Sequence, residues 1–263
     1  MSCWTARLPG SCRLKDGVPL TMLLSLLVRL LSPIVIPFSE LLDGLDRCLT
    51  RGIKSLAVIF LGLLAGWWVY VPVHELLHAA ACAAAGGGVS RLEIDSMYGG
   101  ALLARIFPFV VSGSEYAGRL SGFDTRGSDW IYLATDVGPF ILTIFPGVWW
   151  MRRAAASRRA FAFGASLPFA MAPFLSLTGD AYEIGSILVR DPVLRGDDVF
   201  KMAEVLSRTP GAPWAGFALA ALLGVVWAFL TWWAGAGVSY ALSRSQSLSG
   251  ASRAIERPPS EPT

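Results

Sequence analysis

The sequence predicts a mostly α-helical, polytopic membrane bundle of about four to six spans, with a small β-hairpin after the second long apolar run. Three observations carry that prediction. Of 263 residues, 54% are hydrophobic and 16% charged, against roughly 25% charged in ordinary soluble domains. The apolar residues collect in runs of about 20 or more, the length needed to cross the hydrocarbon layer. Ionisable residues inside those runs are so few that each can be named, and the two histidines of the chain, His74 and His78, lie in one of them.

The first run, Val18 to Phe38, carries Arg29 and two prolines, Pro33 and Pro37, so the segment 1–52 holds an uncertain first span. It is expected to stay in the mature protein, because the stretch before it is long and no small-residue cleavage site follows. The second run, near 55–85, passes Trp67 and Trp68 and continues through the histidine pair. A helix that long reaches roughly 46 Å, more than one crossing needs. Pro72 removes a backbone donor, so a bend is expected just before His74. Gly86-Gly87-Gly88 then ends the helix. Val89 to Asp95 alternates polar and apolar residues, and Ala101 to Val110 is apolar beyond Gly99-Gly100, which reads as a hairpin over 89–110. A polar loop from Ser112 to Asp129 leads to a span near 130–150 containing Asp136 and Gly138-Pro139.

That span ends in Trp149-Trp150 and four arginines, Arg152, Arg153, Arg158 and Arg159, an aromatic belt followed by a cytoplasmic loop. The chain crosses again near 161–186 towards Asp180 and Glu183. A polar loop over 190–212 follows, then a last span at 213–242 and a tail, 243–263, that reads as disordered. Residues 53–189 thus form the core. With the arginine loop inside, the second span enters from the cytoplasm and the C-terminus is cytoplasmic. The N-terminal side stays open, because Arg7, Arg13 and Lys15 compete with Arg47, Arg51 and Lys54.

The formal net charge of +3, with basic residues scattered along the chain, excludes nucleic acid as a partner. The four cysteines, Cys3, Cys12, Cys48 and Cys82, form no C-x-x-C pair and indicate neither a disulfide framework nor a zinc finger.

Chemistry is expected at His74-Glu75-Leu76-Leu77-His78. Residues four apart share a helix face, so both imidazoles can serve one metal ion, with Glu75 beside that face as a general base for an activated water. Zinc suits two imidazoles and a carboxylate with a fourth position left open. Three ionisable groups on an apolar helix are functional by default. No histidine remains for the third ligand, which leaves the intramembrane carboxylates. Asp180 is favoured because Thr178-Gly179 can break the helix just before it. Glu183, three residues on along the same face, and Asp136 are the alternatives.

These residues resemble the site-2 protease group of intramembrane zinc metallopeptidases (peptidase family M50), over about Ser55 to Ser186. The resemblance rests on the histidine motif with Ala79-Ala80 and its glycine-ended helix, on Val89-Ser90-Arg91-Leu92-Glu93-Ile94 with Gly99-Gly100, on Val137-Gly138-Pro139, and on Asp180. Ala181 follows Asp180 where that family usually has glycine, the Asn-Pro element is Ala172-Pro173, and leucine precedes His78 where glycine is common. The resemblance implies a zinc endopeptidase with His74, His78 and Asp180 on Zn2+ and Glu75 as base. The expected partners are the lipid bilayer and a membrane protein or peptide substrate, whose unwound strand could pair with the hairpin. Arg-over-Lys and Ala-rich usage points to the inner membrane of a GC-rich bacterium. Two rivals stand beside this reading: an inactive binding or chaperone module of the same fold, and a transporter using Asp136 and Asp180 as an ion path.

Overall fold

The structure is a computed structural model, and it describes residues 20–49 and 52–255. The chain divides into two compact units, Met1–Leu42 and Asp43–Thr263. Helix α1, Leu20–Leu49, carries Pro33 and Pro37 without a break and runs further than the predicted first run. Cys3, Cys12 and the start of that run lie outside the described residues. The second unit is mostly helical. Four helical stretches among the described residues are long and apolar enough to cross a membrane: Ile53–Ala84, Asp129–Ala156, Ala160–Val189 and Trp214–Gln246. They coincide with the predicted second to fifth runs.

Helix α2, Ile53–Ala84, continues through Pro72. It ends as the glycine triplet predicts: Gly86 takes a left-handed φ of 93°, Gly86 N–H bonds to Ala83 O and Gly87 N–H to Cys82 O. Those two bonds satisfy carbonyls that the end of a helix leaves free.

The chain then departs from the predicted hairpin. Strand β1, Gly88–Ile94, is followed by a 3₁₀ turn at Ser96–Tyr98 and the short helix α3, Gly100–Leu103. The reason is local: Asp95 caps the turn by accepting from Met97 N–H, and Gly99 adopts a left-handed φ of 82°. The apolar segment after Gly100 therefore coils, and only its end forms β2, Val110–Ser112, parallel to β1. The antiparallel partner of β1 is β3, Gly118–Asp124, inside the segment predicted as a polar loop. The result is a three-stranded sheet ordered β2-β1-β3. Leu92, Ile94 and Val110 pack from it against Ala79 of α2.

The two long apolar stretches that follow are each broken. Helix α4, Asp129–Val137, gives way to a 3₁₀ turn at Gly138–Phe140 and a π-type segment at Thr143–Gly147, before α5, Val148–Ala156. Pro139 and Pro146 account for the interruptions, since neither can donate to a helical ladder. Helix α6, Ala160–Leu175, stops short of α7, Asp180–Val189, so the break foreseen at Thr178-Gly179 is present. The predicted polar loop at 190–212 holds a further helix, α8, Val199–Ser207, capped by Asp198. Helix α9, Trp214–Ile255, extends beyond Leu242, so the first part of the predicted disordered tail is helical. No proline stops it there; residues 256–263 lie outside the described residues.

Small residues draw these helices together. A Cβ on Gly62 or Gly66 would lie 2.2 Å from the backbone oxygens of Phe161 and Ala165, and one on Gly164 would lie 2.0 Å from Ile59 O. Backbone therefore meets backbone between α2 and α6, the contact that small residues four apart allow in apolar surroundings. Gly185 stands in the same relation to Ala220 O, and Gly224 to Ala181 O, which holds α7 on α9. Opposite these seams, α2 exposes Phe60, Leu61, Leu64 and Trp68, and α9 exposes Leu219, Leu222 and Leu230.

Candidate metal centre

His74 and His78 are buried on one face of α2, 9% and 8% exposed. Their Nε2 atoms lie 3.1 Å apart. Asp180 begins α7, where the helix break turns its carboxylate towards α2: Oδ2 lies 3.1 Å from His74 Nε2 and 4.0 Å from His78 Nε2. Two nitrogens about 2.0–2.1 Å from a tetrahedral zinc stand roughly 3.4 Å apart, so the spacing suits one ion. Among the described residues, the group of His, Cys, Asp and Glu side chains able to hold a metal is His74, His78 and Asp180.

The outer nitrogens decide which way the lone pairs point. His78 Nδ1 lies 2.9 Å from Thr135 O. A carbonyl only accepts, so Nδ1 carries the proton and Nε2 presents a lone pair inward. Thr135 O is available for a reason written in the sequence: its donor in a continuing helix would be the amide of residue 139, which is proline and has no N–H. His74 Nδ1 lies 2.7 Å from the Tyr70 hydroxyl, one turn back on α2. Donation from that Nδ1 to the tyrosine oxygen gives His74 the same tautomer. In that tautomer two imidazole lone pairs and a carboxylate oxygen meet at one point, an arrangement suited to a cation. Such supporting bonds fix ring orientation, and losing one typically weakens metal affinity by 10–100-fold. Tyr70→Phe keeps the ring that packs edge-on against Phe169 at 5.4 Å. It is expected to weaken zinc binding by about 10- to 100-fold in competition with a chelator of known affinity.

Glu75 is half-buried and lines, with His78 and Asp180, a cavity of about 530 Å³. It packs against the start of β3, where a Cβ on Gly118 would come within 2.4 Å of Glu75 Cγ. The absence of a side chain at 118 is what lets Glu75 fit beside the sheet. Arg119 and Leu120 of β3 line the same cavity. At its outer parts Lys201 donates to the Tyr116 hydroxyl at 3.0 Å, which raises the pKa of the lysine above its ordinary value, and Arg119 lies 3.6 Å from Asp197.

The other two candidate carboxylates line the cavity without joining the metal group. Glu183 accepts from the Tyr132 hydroxyl, which turns it towards α4. Asp136 is 4% exposed, and its Oδ2 has no hydrogen-bond partner among the described residues. Tyr70, Thr135, Tyr132 and Gly118 were not singled out by sequence reasoning. The tyrosine at i−4 from His74 and the proline at i+4 from Thr135 were the available signals.

No family model matches the chain, and no match was found among curated proteins or solved structures.

Proposed function

We propose that the protein is a membrane-embedded zinc metallopeptidase, similar to the site-2 protease group, that hydrolyses peptide bonds in or beside the bilayer. The observation that carries this reading is the convergence of His74 Nε2, His78 Nε2 and Asp180 Oδ2 at the wall of a cavity that also holds Glu75. The exposed apolar faces of α2 and α9 support placement in lipid, because soluble monomers rarely leave such continuous apolar surface uncovered. The inner membrane of a bacterium, with the α5–α6 arginine loop in the cytoplasm, is the location that composition and charge favour.

His74, His78 and Asp180 would hold the ion. Bound zinc supplies a Lewis acid and lowers the pKa of water to about 7. Glu75 takes the proton from the attacking water and passes it to the leaving amine. Tyr70 and the Thr135 carbonyl keep both imidazoles in register. A helical substrate must be unwound before its amides can be attacked, and the edge of β3 away from β1 offers an extended segment a backbone to pair with along the cavity.

The test is metal analysis of the purified protein together with cleavage of a synthetic transmembrane substrate. The expected result is near-stoichiometric zinc, with cleavage abolished by chelation and restored by zinc. Equal zinc content in the wild type and in His74→Ala would remove the metallopeptidase reading.

A further inference from the structure

The loop between α5 and α6 folds beside the start of α2, well outside the metal centre. A cavity of about 620 Å³ lies there, with Lys54, Ser55 and Val58 from α2 and Arg158, Arg159 and Phe161 from the loop and α6 among its lining. Three cations and no carboxylate line it. None of the three is ion-paired among the described residues. Ser55 is 6% exposed, yet its hydroxyl makes no hydrogen bond among the described residues. The helices that open onto the cavity, α2 and α6, both start there, and neither has a side-chain cap. Ser55 N–H already bonds to Gly52 O, the other first amides have no partner within their helices, and each N-terminus adds partial positive charge.

A concave site with three positive side chains, two uncapped helix starts and an unpartnered serine hydroxyl is chemically complementary to a phosphate group. Its surroundings favour one source. Val58 and Phe161 form apolar wall, and from Val58 the exposed face of α2 continues through Phe60, Leu61 and Leu64. A phosphate seated against Lys54 and Arg158 would have an apolar track for attached acyl chains. The cations also stand at the end of two helices long enough to span, on the arginine-loop side, where basic pockets between spans meet anionic headgroups.

We propose that this pocket binds the phosphate of an anionic phospholipid headgroup, with the acyl chains lying along the exposed face of α2. The site is independent of the metal and of any peptidase activity.

The test uses the full chain in neutral detergent, offered phosphatidylglycerol or phosphatidylcholine and followed by native mass spectrometry. The wild type is expected to retain phosphatidylglycerol with a preference on the order of a hundredfold, the combined effect of three cations. That preference is lost in the triple variant Lys54→Gln, Arg158→Gln, Arg159→Gln and reduced in Ser55→Ala. The exposed cations can be replaced without touching the helix seams, and unchanged zinc content and melting temperature verify that the variants are folded. Equal retention of the two lipids by the wild type, or an undiminished preference in the triple variant, overturns the proposal. Displacement of the lipid by millimolar inorganic phosphate assigns the pocket to free phosphate and overturns the lipid source.

Discussion

Replacing Glu75 by Gln is expected to reduce cleavage of a transmembrane substrate by about 10²–10⁴-fold or more, the range for removal of a positioned general base. Zinc content should stay at the wild-type level. The separation of the two readouts follows from the geometry. Glu75 lines the cavity with His78 and Asp180 but is not among the three groups that converge. Glutamine keeps the length and shape that fit against Gly118 while losing the ability to take a proton. Steady-state cleavage of a labelled peptide, with metal analysis on the same preparation, checks both halves. A variant that cleaves like the wild type would show that Glu75 is no base and would pass that role to another group lining the cavity. A variant that loses its zinc would instead make Glu75 a ligand.

The second large effect concerns the three carboxylates weighed as the third metal ligand, Asp180, Glu183 and Asp136. Asp180→Ala should leave the purified protein nearly free of zinc, a loss beyond the roughly 10- to 100-fold expected for a supporting hydrogen bond. Asp136→Asn and Glu183→Gln should retain it. Asp180 Oδ2 stands 3.1 Å from His74 Nε2, whereas Glu183 is engaged by Tyr132 and Asp136 lies outside the group. Zinc retained in Asp180→Ala and lost in Asp136→Asn would transfer the ligand role to the third span.

Much of this arrangement was legible in the sequence, for identifiable physical reasons. Long apolar runs announce spans because they are set by the thickness of a bilayer, and the histidine spacing announces a shared face because it follows the helical period. The Thr178-Gly179 break was readable as an interruption that would free Asp180. The sheet was not. Val110–Ser112 pairs with β1 in parallel after a long detour through α3, and a parallel partner leaves no turn signature between the strands. Gly118–Asp124 carries two glycines and few β-branched residues, so neither its composition nor its alternation marks a strand. Its place is fixed by pairing with β1 and by contact with Glu75, both long-range. The continuation of α9 to Ile255 escaped for a different reason: polar composition argued against a helix that in fact propagates from a long apolar one.

The hydrogen bond that sets the tautomer of His78 has an unusual mutational profile. Its acceptor is a backbone carbonyl, so no substitution at Thr135 can delete it. What makes that carbonyl available is written four positions away, at Pro139. The orientation of His78 on α2 thus depends on Pro139 through the carbonyl four residues before it. Sensitivity at position 139 is the consequence: taking away a single N–H leaves a backbone acceptor free inside the helix, and restoring that N–H would give the Thr135 carbonyl a competing donor.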